Sequence, residues 1–126
     1  MQQQNYEEFY NSLRKDFPRI DSLPIWQEWD WSNDSYEHSI IMSKIAEEMI
    51  CWAKEDNYED IKHMLDYIEQ ALTNASTGVI AFIGTDFLVT IIEIEDKQTR
   101  ERIKALMQPK TTEGYQIDLR GYKEPD

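Results

Sequence analysis

Residues 79–95 read VIAFIGTDFLVTIIEIE, and the fold turns on whether this run is one helix or two strands. Its β-branched content and the GTD at its centre fit a hairpin with a glycine-containing loop. A helical reading sets Val79, Ile83, Phe87, Ile91 and Ile94 along one seam. Ile80, Leu88 and Ile92 then widen that seam into the broad apolar face of a helix buried on two sides. Gly84 would cost roughly 1 kcal/mol inside a helix, while permitting close approach of a neighbouring one. The segment alone fits both structures. The rest of the chain favours the helix, because three amphipathic helices elsewhere need a central apolar partner.

The first of these covers residues 5–17, with Tyr6, Phe9, Tyr10, Leu13 and Phe17 spaced three or four apart and Pro18 ending it. A second begins at Asp34, with Glu37 in the position of a capping box, and carries Ile41, Ile45, Met49 and Trp52 on one stripe. Asn57 caps the third; Glu59 and Asp60 sit in its first turn, where the helix dipole favours acids. Tyr58, Ile61, Leu65, Ile68 and Leu72 keep an unbroken helical period along it. The short link between the second and third makes them antiparallel neighbours. Residues 18–34 read as an ordered connection with room for a short helical turn. A last helix opens at Asp96 or Thr99 and runs through Met107, with Ile103, Leu106 and Met107 on its apolar side and Pro109 stopping it. Beyond it, Tyr115, Ile117 and Leu119 alternate with polar residues, which is a strand period. With no sheet to join, residues 108–126 are expected as an extended tail laid on the bundle, or as a segment that pairs with something else. The expectation is a single all-α domain, a bundle of about five helices with its core over residues 5–107.

A chain of 126 residues, 40% apolar and 12% aromatic, is long enough to bury one core without staples. The single cysteine, Cys51, excludes an internal disulfide framework and suits a reducing compartment. The start, MQQQNYEEFY, has neither the basic nor the apolar region of a signal peptide. Residues 79–94, the most apolar stretch, carry Asp86 and Glu93 and fall short of the about 20 residues a bilayer needs. These features point to a cytoplasmic protein with no membrane partner. The net charge of −12 is uneven: residues 28–69 hold 12 acids against three bases, Lys44, Lys54 and Lys62. Such a field repels nucleic acid and attracts basic proteins.

The runs FYNSLRKDFP, IAEEMICWAKEDNYEDIKHMLDYIEQALTNA and DFLVTIIE, with the aromatic-Ile-Glu step Tyr67-Ile68-Glu69, resemble a family of small all-helical bacterial proteins. That group includes immunity proteins of polymorphic and contact-dependent toxin systems. The likeness covers roughly residues 9–95. It implies an all-α fold and a helical 79–95, and it carries no catalytic residue.

Catalytic patterns are not found. Asp60 and His63 have the acid–His spacing of helical di-metal sites, but the element occurs once; Ser35 stands three residues before His38, and both Asp60 and His63 flank the apolar seam. Cys51, between Ile50 and Trp52, reads as a buried inert thiol. Glu47 and Glu48 are adjacent on a helix and face different ways. No phosphate loop, paired CxxC, HExxH or GxSxG is present. Neither an enzyme nor a cofactor or metal is expected.

The octet PIWQEWDW, residues 24–31, holds three of the four tryptophans beside two acids. Trp26 suits a core plug beside Pro24 and Ile25, with Trp29 or Trp31 looking outward as a docking rim among Glu28 and Asp30. The expected partner-binding set is therefore Trp26, Glu28, Trp29, Asp30, Trp31, Asp34, Glu55, Asp56, Glu59 and Asp60. The function expected is neutralisation of a basic protein, most concretely an immunity protein blocking a nuclease-type toxin. The alternative is a cytoplasmic helical adaptor or homodimeric regulator without a toxin.

Overall fold

The computed structural model describes residues 5–28 and 35–122. Among them are eight helices and no strand: α1 (Tyr6–Asp16), α2 (Pro18–Asp21), α3 (Ile25–Glu28), α4 (Ser35–Lys54), α5 (Tyr58–Asn74), α6, α7 (Lys97–Lys104) and α8 (Pro109–Tyr122). Helix α6 is continuous over 77–92 and comprises Thr77–Phe82, a π-helical segment Ile83–Leu88, and Val89–Ile92. The five helices expected from periodicity are present. The additional three arise where the chain had been read as connection or tail.

Segment 79–92 is helical, with 93–95 outside the helix, because burial outweighs local propensity. Val79, Ile83, Phe87, Leu88, Ile91 and Ile92 are all buried, each contributing roughly 1.5–3 kcal/mol against the roughly 1 kcal/mol that Gly84 costs. The π segment has a physical reason in the same spacing. An α-helix advances 3.6 residues per turn, so apolar residues placed every four drift around its axis; wider i→i+5 turns reverse that drift. Residues 79, 83, 87 and 91 thereby stay on one buried face, and from Ile83 onward the helix packs against α4 and α8. The close approach expected at Gly84 is looser than the spacing implied: a Cβ there would meet nothing nearer than Asp118 Oδ2, at 4.0 Å. The tight glycines are Gly78 at the start of α6, where a Cβ would run into the Tyr6 hydroxyl, and Gly114 of α8, where a Cβ would lie 3.2 Å from Leu88 Cδ1.

Helix α1 opens on a complete capping box. Asn5 accepts from the Glu8 amide at 2.9 Å, and Glu8 accepts from the Asn5 amide at 3.0 Å. Pro18 ends it and serves as the first residue of α2. The α4 stripe Ile41, Ile45, Met49 and Trp52 is buried, as are Ile61, Leu65 and Ile68 of α5. Cys51, expected inside, is exposed, because it lies off the Met49–Trp52 stripe. Asp96, not Thr99, caps α7, accepting from the Gln98 amide and the Thr99 hydroxyl.

The expected extended tail is instead α8, packed on α5 and α6. Pro109 takes the first helical position, where no amide is needed. The next two amides, Lys110 and Thr111, donate to Glu69 of α5 at 3.1 and 2.9 Å, and the Thr111 hydroxyl adds a third bond at 2.8 Å. A carboxylate from another helix thus caps α8. Tyr115 is buried while Ile117 and Leu119 are exposed, so the alternation that resembled a strand places its residues on different helix faces.

Candidate functional site

The α4–α5 turn gathers four of the acids expected to meet a partner, and its backbone explains why they sit there. Helix α4 closes with the Asp56 amide on the Ala53 carbonyl (3.0 Å) and the Asn57 amide on the Trp52 carbonyl (2.9 Å). This is a Schellman closure with Asp56 in the left-handed region, φ 61°, where glycine is usual. Asn57 then caps α5 by accepting from the Asp60 amide and donating to the Asp60 carboxylate at 2.8 Å.

Two arginines from elsewhere come to this turn. Arg19 of α2 clamps Glu55 through both nitrogens (2.5 and 2.9 Å) and reaches Glu48 at 2.8 Å. Glu48 also accepts from the Trp52 indole at 2.9 Å, so α2, α4 and the turn share one network. The Arg19 hydrogen bond holds Glu55 below the ordinary glutamate range. Arg102 of α7 lies 3.6 Å from Asp56 and stacks over the Tyr58 ring at 3.9 Å. Both arginines and both acids are solvent-accessible, so these pairs orient the turn more than they stabilise it.

The expected binding set therefore divides. Glu55 and Asp56 are engaged within the chain; Glu59 and Asp60 are exposed and meet no cation among the described residues. Trp26 is buried, as the plug reading required, with its indole donating to the Ile20 carbonyl at 2.7 Å and Arg14 over its ring. Glu28 is the last residue of α3. Trp29, Asp30, Trp31 and Asp34 lie outside the described residues, so the outward-facing half of the octet and the capping box at Asp34 do too. Further along α4 and α5, Lys44 pairs with Glu47, and Asp66 accepts from Lys62 and from Gln108 at 2.5 Å.

The metal spacing at Asp60 and His63 is not assembled into a site. His63 packs on Phe17 at 4.8 Å and near Tyr67, and among the described residues no three His, Cys, Asp or Glu side chains gather as a metal would require. No helix among them is long and apolar enough to cross a membrane. Tyr67 donates to Asp16; burial first and that carboxylate second push it up to about 12.

The family profile of DUF7674, a domain of unknown function, matches residues 10–122. The chain belongs to this family. No curated protein and no solved structure matches it. The matched span of this DUF7674 domain includes α8, which sequence periodicity had left as a tail.

Two features of the domain escaped the reading of its residues. Arg19 and Arg102 lie outside the acidic stretch 28–69, and nothing local aims them at the α4–α5 turn. The α6–α8 groove was not visible while 108–126 was taken as extended. The signal for it was present in the helical spacing of Thr111, Tyr115 and Asp118, but Pro109 was read as a stop and not as a first helical residue.

Proposed function

We propose that this DUF7674 domain is a non-enzymatic helical binding protein that neutralises a basic protein, most concretely as an immunity protein against a nuclease-type toxin. The observation that carries this reading is the exposed α4–α5 turn. It presents Glu55, Asp56, Glu59 and Asp60 together, and among the described residues only Arg19 and Arg102 pair with them. The net charge of −12 adds a long-range field of the same sign. A nuclease must hold phosphates with cations, and carboxylates at the rim of its site would exclude nucleic acid by replacing that charge.

The structure changes which residues test the idea. Reversing Glu55 would break the Arg19 clamp, whereas Glu59 and Asp60 can be reversed without cutting an ion pair. The double variant Glu59→Lys/Asp60→Lys gives up the Asn57–Asp60 side-chain bond and two favourable first-turn charges, at about 1 kcal/mol; it should stay folded on the buried α5 stripe and associate with a basic nuclease domain about tenfold more slowly at low salt. The wild-type on-rate should fall steeply as salt rises. Stopped-flow association across a salt series reads both. A salt-independent rate, or no protection of cells expressing that nuclease, overturns the proposal.

A second reading, the homodimeric adaptor, is favoured by one observation: Ile117 and Leu119 are exposed on α8.

A further inference from the structure

We infer that the groove between α6 and α8 docks a cationic amphipathic helix of a partner protein. This rests on the proposed function for the sign of the partner's charge, and it assigns the docking to a different face from the α4–α5 turn.

The groove is a trough between two helix ridges. Ile80, Gly84 and Leu88 fall four apart on α6; Gly114, Ile117 and Asp118 face them from α8, enclosing ≈ 330 Å³. A trough of this kind accepts a third helix through residues one turn apart. Its apolar content is unusual for this surface: Ile117, at 53% the more exposed of the two exposed large hydrophobics among the described residues, lines it together with Leu72, Ile80 and Leu88. Gly84 keeps the floor open, since no side chain stands between it and Asp118, and it lies in the π segment. Wider π turns recur at functional sites.

Asp118 supplies the polar half of the argument. Its Oδ2 is shielded from solvent and has no hydrogen-bond partner among the described residues. A carboxylate oxygen held that way is costly until a donor arrives. A partner lysine or arginine can lay its methylene stem over Ile117 and place its head on Asp118, gaining both contacts. Glu113 lines the same groove and adds negative charge, while Lys110 lies at the opposite end and gives the groove a direction. The net charge of −12 draws a cationic helix in and repels a second copy of this chain, so a partner protein and not self-association is the occupant.

The test uses the full chain and a fluorescein-labelled Leu/Lys amphipathic peptide of about 18 residues, five helical turns, with a Leu/Glu peptide of the same pattern as control. Anisotropy should show saturable binding of the Leu/Lys peptide and none of the control. Ile117→Asp and Asp118→Asn should each weaken that binding about tenfold, both with unchanged circular dichroism, since Ile117 is exposed and Asp118 gains nothing from its charge. Glu59→Lys/Asp60→Lys should slow association but leave the groove's contribution intact. Absence of saturable binding, equal binding of the Leu/Glu peptide, or indifference to both groove variants overturns the inference. If the α4–α5 variant alone abolishes binding, the groove assignment falls and the proposed function stands. A dimer in light scattering that Ile117→Asp disperses gives the groove to a second copy and overturns it too.

Discussion

Helices α5 and α8 pack against each other, yet they begin in opposite ways. Helix α5 carries its own start signal: Asn57 accepts from the Asp60 amide, acids fill the first turn, and Ile61, Leu65 and Ile68 form a buried stripe. Helix α8 borrows its start. Its first free amides, at Lys110 and Thr111, are satisfied by Glu69, which α5 supplies from 41 and 42 residues away in sequence. Its inward face is Thr111 and Tyr115, while Ile117 and Leu119 point out. The contrast shows that a helix capped locally is legible in sequence, and a helix capped by a distant carboxylate is not.

The sharpest way to break the contrast is to remove the borrowed cap. Glu69→Ala leaves two amides and a hydroxyl without their acceptor and should cost about 2–3 kcal/mol. Amide hydrogen exchange should show α8 losing protection while α5 keeps it. The effect has a pH signature. Burial pushes Glu69 up, but the Thr111 and Lys110 amides, then the Thr111 hydroxyl, pull it below the ordinary glutamate range overall. A depressed carboxylate contributes stability above its unfolded value, and that contribution is lost as pH falls through the lowered folded value. The stability gap between wild type and Glu69→Ala should therefore narrow in acid. A gap that does not change with pH would mean that Glu69 acts through packing and not as a charged cap.

Removing the local cap should do less. Asn57→Ala costs about 1 kcal/mol, read as a lowered urea midpoint at unchanged slope, because the α5 stripe holds the helix regardless of its cap. A loss equal to that of Glu69→Ala would erase the distinction between the two helices.

The smallest effect has the opposite sign. Burial raises the Asp118 carboxyl above the ordinary aspartate range. Such a group favours the fold below its unfolded value and loses that contribution as pH rises through the raised folded value. Asp118→Asn should therefore stabilise the protein slightly at neutral pH, by less than about 1 kcal/mol, with the gain vanishing in acid. Thermal melts at neutral and acid pH measure it. A neutral-pH loss would mean that the carboxylate already serves the isolated fold, which would remove the reason to expect a donor from a partner.

The candidate site was legible to the same extent as the helices, and for the same reason. Glu55, Asp56, Glu59 and Asp60 are neighbours in sequence, so their clustering could be read directly. Arg19 lies 36 residues before Glu55 and is brought to it by the packing of α2 on α4; Arg102 reaches Asp56 only because α7 packs beside α5. These two cations halve the charge that the composition of residues 28–69 suggested for the turn. Trp26 was legible as a plug because Pro24, Ile25 and the helix before it left an apolar space to fill.

Sequence by itself determined the all-α class, five of the helices, the buried stripes of α4, α5 and α6, and the cap at Asn57. Each of these depends on residues within a turn or two of one another, where helical geometry converts spacing directly into a face or a cap. Tertiary structure alone decided that 109–122 coils, that two of the four acids at the turn are already held, and that α6 and α8 leave a groove ending at Asp118. Those outcomes hang on groups far apart in the chain. Their hydrogen bonds and charges have no period to betray them until packing brings them within reach of one another.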